Sequence, residues 1–112
     1  MKKTHTLLNR HQLLDLAALQ GWLDHNLDPV QRADQLLTLR PEELNCVFDT
    51  LPAPRGAALL ASLSAESAGQ LLLRLHGSIV GVLQEAIPRR EMVAILRRLG
   101  PQDRIRLLTR FP

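Results

Sequence analysis

Tyrosine is absent from this chain, and Trp22, Phe48 and Phe111 are its only aromatic residues. A core with so few rings has to be built from Leu, Ile, Val and Ala. Leu and Ala are strong helix formers, and β-branched residues are comparatively few, so the composition favours an all-α chain. Cysteine is nearly missing too. Cys46 stands alone, which excludes an intramolecular disulfide and fits a reducing compartment, so the expected location is the cytoplasm. No apolar run approaches the ~18 residues of a membrane span. The basic start Met1-Lys2-Lys3 is not followed by a signal-peptide core, because Asp15, Asp24 and the polar residues between them interrupt it.

The chemistry-bearing motifs are missing as well. There is no G-x-x-x-x-G-K or G-x-G-x-x-G phosphate loop, no C-x-x-C and no H-E-x-x-H. His5, His11, His25 and His76 are scattered; His11 and Asp15 lie one turn apart and read as a surface pair. Cys46 has no His at a fixed helical offset, so it reads as a half-buried structural thiol. Glu42 and Glu43 fall in the first turn of a helix, where the helix dipole favours carboxylates without any acid/base role. The expectation is a protein that is not an enzyme and binds no cofactor firmly.

What is present is a repeat. The 112 residues are 46% hydrophobic and 22% charged, the balance of a single folded domain. Leu39, Leu51, Leu63, Leu75, Ile87, Leu99 and Phe111 recur every twelve residues. Units cut after each read DPVQRADQLLTL, RPEELNCVFDTL, PAPRGAALLASL, SAESAGQLLLRL, HGSIVGVLQEAI, PRREMVAILRRL and GPQDRIRLLTRF. Positions 5, 8, 9 and 12 of a unit carry most of the apolar residues, as in Leu44, Val47, Phe48 and Leu51, which is one face of an α-helix. Caps and prolines open the units: Asp28-Pro29, Arg40-Pro41, Ser64 and Gly100-Pro101. Pro52, Pro54 and Pro88 are expected between helices. In the fifth unit, Gly77 and Gly81 each weaken a helix by about 1 kcal/mol relative to Ala, so a short helix from Ser78 to Ala86 is expected, its glycines serving close packing.

Each unit therefore predicts a helix of eight or nine residues, too short to persist alone in water. Such helices must bury their faces on one another. The expected fold is an α-solenoid of short antiparallel helices with a twelve-residue repeat, its seven units spanning 28–111. Leu13, Leu14, Leu16, Ala17, Leu19, Trp22 and Leu23 predict a longer N-terminal capping helix over about 9–25. Residues 1–8 are expected to fray, and 9–112 to form one domain.

Charge is unevenly placed. Residues 1–49 hold five Lys/Arg against seven Asp/Glu, residues 50–87 hold two of each, and residues 88–112 hold seven Arg against two acids. Arg89, Arg90, Arg97, Arg98, Arg104, Arg106 and Arg110 are thus candidate contacts for an acidic partner, with Phe111 at an apolar end. Position 11 carries Arg74, Arg98 and Arg110, which suggests an arginine ridge along one edge. Nucleic acid is the less favoured partner, since the stacking aromatics that usually accompany a basic groove are missing.

The stretch Ala33–Leu63, "ADQLLTLRPEELNCVFDTLPAPRGAALLASL", with Phe48 before the Leu51-Pro52 pair, resembles the intracellular N-terminal domain of MgtE-type magnesium transporters, a superhelix that is itself similar to the middle region of the flagellar protein FliG. The resemblance covers Asp28 to Pro112. It implies a cytoplasmic regulatory module whose acidic edge holds Mg²⁺ against a neighbouring domain. Closing units of that family read D-P-D-D-A-A-D-L-L-x-x-L-P; Pro101, Asp103, Leu107, Leu108 and Pro112 match. Three of the four acidic positions are Gly100, Gln102 and Arg106 here, which leaves Asp103 as the one candidate Mg²⁺ ligand. The function expected is a non-catalytic regulatory or protein-binding module, working through a protein partner or self-association. The alternatives are a FliG-like structural adaptor in a motor or secretion assembly, or a basic solenoid that binds nucleic acid.

Overall fold

A computed structural model describes residues 28–111 together with Gly21. The predicted capping helix, the fraying segment, Trp22, the His11–Asp15 pair, His5, His25 and Pro112 lie outside the described residues. The chain is all-α: seven short helices are described, and among these residues there is no strand. They are α1 (Pro29–Thr38), α2 (Pro41–Thr50), α3 (Ala53–Ala61), α4 (Ala65–Arg74), α5 (Gly77–Ala86), α6 (Arg89–Arg98) and α7 (Pro101–Leu108).

Their first residues, 29, 41, 53, 65, 77, 89 and 101, fall every twelve residues. The local causes differ from unit to unit. Asp28 accepts a 2.9 Å bond from the Gln31 N–H and the Gln31 side chain bonds back to the Asp28 N–H, a reciprocal cap. Pro29, Pro41 and Pro101 occupy the first helical position, where no N–H is needed. Glu43 accepts from the Arg40 N–H at 2.9 Å, and Ser64 from the Ser67 N–H at 3.1 Å. Position 12 ends most helices. Leu39, Leu51, Leu75, Ile87 and Leu99 have extended backbone at the C-cap, so two extended residues join one helix to the next. α3 and α7 instead close on Ser62 and Thr109 in right-handed helical conformation.

Two details differ from the sequence reading. Pro54 is not between helices; it lies in the first turn of α3, where its missing N–H has no intrahelical partner to lose. The fifth helix starts at Gly77 rather than Ser78, since the first helical position tolerates glycine well.

The helices pack on second and third neighbours. α3 lies against α5, α2 against α4 and α5, and α4 sits centrally, touching α1, α2, α3, α6 and α7. The principal extents are 42 × 23 × 23 Å, longer in one direction than in the other two. Positions 5, 8, 9 and 12 form the core. Leu44, Val47, Phe48 and Leu51 are buried in α2 and its turn, and Ala68, Leu71, Leu72 and Leu75 in the fourth unit. Each leucine among them contributes roughly 1.5–3 kcal/mol by leaving water.

Glycine makes two of these contacts possible. A Cβ on Gly69 would stand 2.8 Å from Leu99 Cδ2 and 3.3 Å from Ile95 Cγ2, so α6 reaches α4 only because nothing projects there. Gly56 likewise admits Leu83 Cδ2, which a Cβ would meet at 2.9 Å. These close approaches lie at Gly56 and Gly69. A Cβ on Gly77 would have nothing nearer than the Arg110 carbonyl oxygen at 4.0 Å, and that residue is exposed.

Candidate functional site

Burial changes along the chain in a way that identifies two ends. Position 6 is buried in the first four units, as Ala33, Asn45, Ala57 and Gly69; it is half-buried at Gly81 and exposed at Val93 and Ile105. Position 9 follows the same course: Leu36, Phe48, Leu60 and Leu72 are buried, Gln84 and Leu96 half-buried, Leu108 exposed. Position 8 runs the other way, half-buried at Gln35 and buried from Val47 through Leu107. Positions 6 and 9 are therefore buried in the first four units and increasingly exposed in the later ones. The contact of Gly69 with Ile95 and Leu99, two units on, is one instance of that burial.

At the last two units this face is open. Val93 is 40% exposed, Ile105 61% and Leu108 46%. Ile105 and Leu108 are three apart on α7 and share a face. On α6, Arg89, Val93 and Arg97 recur every four residues, so the exposed valine lies between two arginines. Phe111, expected at the apolar end, is half-buried and packs against the core, so Ile105 and Leu108 present more of that surface than it does.

The seven arginines of this region separate into three groups. Arg89, Arg90, Arg97 and Arg98 are exposed, and their side chains make no ion pair or hydrogen bond with the described residues. Arg106 pairs with Asp103, Nη1 to Oδ1 at 3.1 Å. Arg104 and Arg110 bond to backbone carbonyls. Arg104 donates from Nε to the Leu96 carbonyl at 3.0 Å and from Nη2 to Leu99 at 3.2 Å, capping the end of α6. Arg110 Nη1 donates to the Leu75 carbonyl at 2.7 Å, at the end of α4. Arg74 does the same to Leu37 at 2.7 Å, at the end of α1. The last helical carbonyls lack intrahelical donors and carry the negative end of the dipole, so a guanidinium suits them. Of the arginines at position 11, Arg74 and Arg110 are helix caps and Arg98 is exposed, so that position does not form a continuous ridge.

Asp103 stands in the first turn of α7 with Arg106 as its partner. Among the described residues no three His, Cys, Asp or Glu side chains come together as a metal site. Cys46 is half-buried against the core. Asn45 is the one buried polar residue among those described: its Oδ1 accepts from the His76 N–H at 2.7 Å and its Nδ2 donates to the Pro41 carbonyl at 2.6 Å. It ties α2 to the turn between α4 and α5. The sequence reading missed it, although its place at position 6, among Ala and Gly in neighbouring units, marks it as inward-facing. The hollow lined by Phe48, Asp49, Ala53, Ser78, Ile79 and Val82 contains one carboxylate and no convergent set of reactive groups. No helix among the described residues is long and apolar enough to cross a membrane. No family model, no curated protein and no solved structure matches this chain.

Proposed function

We propose that this chain is a non-catalytic, cytoplasmic protein-binding module built as a short-helix solenoid, which acts by docking a partner on its C-terminal face. One observation carries the reading: positions 6 and 9, covered by later helices in the interior units, are exposed as Val93, Ile105 and Leu108 in the last two. Exposed aliphatic side chains close to unpaired charge are a usual mark of an interaction surface. Arg89 and Arg97, exposed on either side of Val93, support an acidic counterpart. The resemblance of Ala33–Leu63 to the MgtE N-terminal domain gives this module a regulatory sense, as a cytoplasmic part that signals through contact with another domain. The bonding of Arg104 and Arg110 to backbone carbonyls, and the pairing of Arg106 with Asp103, support a version of that role in which contact, not Mg²⁺, is the signal.

The reading is tested by quantitative co-purification from cells. Wild-type chain and an Ile105→Ser/Leu108→Ser variant are compared at equal abundance, with washes at low and high salt. The expected result is one protein retained by the wild type and lost from the variant. Identical protein sets for both chains would contradict it.

A further inference from the structure

We propose that the N-terminal stretch of this chain, about residues 9–25, seats on a hollow of α1, with Val30 and Leu37 as its anchors. The hollow lies where α1 meets the start of α4 and has a volume of about 200 Å³. Pro29, Val30, Ala33 and Leu37 line one side, with Asp34 among them, and Ser64 and Ser67 line the other. Val30, Ala33 and Leu37 stand three and four residues apart, so a single stripe of α1 faces the hollow. Val30 is 78% exposed, more than any other large hydrophobic residue described. Leu37 is half-buried.

The repeat shows that this apolar stripe is particular to the first unit. Position 3 is Val30 here, and the later units carry Glu42, Pro54, Glu66, Ser78, Arg90 and Gln102 there. Position 10 is Leu37, and among the later units only Leu73, which is buried, is as large and apolar. The repeat thus accepts charge at position 3, and the packing of the described helices does not call for a valine. Its place at a hollow does.

The chain itself supplies the occupant. The residues before α1 lead directly to the hollow, because Asp28 caps α1 and Pro29 lines the rim. A segment tethered this close meets its seat at an effective concentration on the order of millimolar. Leu13, Leu16, Leu19 and Leu23 recur at three- and four-residue spacing, the pattern of an amphipathic helix that lies in an apolar groove. Gly21, the one described residue of that stretch, is helical and exposed. On a helix, positions two before and two after it fall on the opposite side, and those positions are Leu19 and Leu23. The hollow is thereby assigned to this chain rather than to a partner.

Hydrogen exchange on the full chain tests the seat. In the wild type, amides between Leu13 and Leu23 should be protected. Val30→Glu/Leu37→Glu should speed their exchange at least about tenfold, while amides within α4 and α6 keep their protection. The first change copies Glu42 and Glu66 at position 3, and the second copies Glu85 at position 10. Val82→Glu, which replaces an exposed valine on α5, should leave the stretch as protected as in the wild type. Exchange of Leu13–Leu23 at free-chain rates in the wild type overturns the inference, and so does protection that survives the double change. A crosslink decides the matter if the double variant loses protection throughout. A benzophenone amino acid at position 30 of the otherwise wild-type purified chain should join, on illumination, to residues 9–25 of the same molecule. A dimer-sized adduct would assign the hollow to a second copy instead. That result, or no adduct at all, overturns the inference.

Discussion

The guanidinium of Arg110 lies 2.7 Å from the carbonyl oxygen of Leu75, and the bond joins units three apart in the stack. Arg74 repeats the relationship with Leu37, again three units back and again at 2.7 Å. The repeat thus carries a tie as well as a face. An arginine near the end of one helix closes the end of the helix three before it. Two residues that look like surface charge in the sequence therefore belong to the frame.

Removing that tie should lower stability without touching the exposed face. Arg110→Ala is expected to cost about 1 kcal/mol, less than the roughly 1.5–3 kcal/mol of a buried bond to a charged group, because the site is only half-buried. Arg97→Ala, exposed and unbonded, should stay within about 0.5 kcal/mol of the parent. Urea unfolding of the two variants side by side measures the difference. Equal midpoints would mean that the Arg110–Leu75 bond contributes nothing.

Gly69 and Gly77 should respond differently to alanine. At Gly69 the new methyl meets Leu99 and Ile95 inside van der Waals distance, and overpacking of this kind costs about 1–3 kcal/mol. At Gly77 the nearest atom is 4.0 Å away, and the change should be neutral within about 0.5 kcal/mol. Thermal unfolding of Gly69→Ala and Gly77→Ala checks both. A stable Gly69→Ala would show that α4 and α6 have room to separate.

Asn45→Ala leaves the His76 N–H without its acceptor at a part-buried junction, for which a loss of about 1 kcal/mol is expected. Hydrogen exchange gives a sharper reading than the melting curve. The His76 amide should lose protection while amides in the middle of α4 keep theirs. Unchanged protection at His76 would show that the bond is not formed in solution.

Millimolar Mg²⁺ should leave the melting temperature of this chain unchanged, because the carboxylate of Asp103 is shared with Arg106 and no group of three His, Cys, Asp or Glu comes together as a metal site among the described residues. Differential scanning calorimetry with Mg²⁺ and with an equal ionic strength of NaCl separates binding from screening. A rise specific to Mg²⁺ would restore ion sensing to the account.

The start of most helices was legible in the sequence because the causes are local, though not at Gly77 or around Pro54. Pro29, Pro41 and Pro101 at the first helical position, and the caps at Asp28 and Ser64, act through neighbours within four residues. The core positions were legible for a related reason, since Leu44, Val47, Phe48 and Leu51 repeat a helical spacing that only burial explains. What the sequence did not disclose lies between units. Gly69 reads as a weak point in a helix, and only the position of Leu99 shows it to be a contact. Arg110 and Arg97 carry the same charge a few residues apart, and the distinction between a cap and a free cation depends on a carbonyl at Leu75. Asn45 needed His76, from another unit, before its burial made sense. The open face was visible only in part, because Val93 and Ile105 look like ordinary core residues until their exposure is measured against Ala33, Ala57 and Gly69.

Site-specific photo-crosslinking in cells tests the central claim, that the C-terminal face is where this chain meets its partner. A benzophenone amino acid is placed at position 105 on that face and, as a control, at Ala58, which is exposed on α3. The account predicts one discrete protein adduct from position 105, absent from position 58 and lost when Leu108 is changed to Ser. Adducts that are equally diffuse at both positions, or a discrete adduct from position 58 alone, would contradict it.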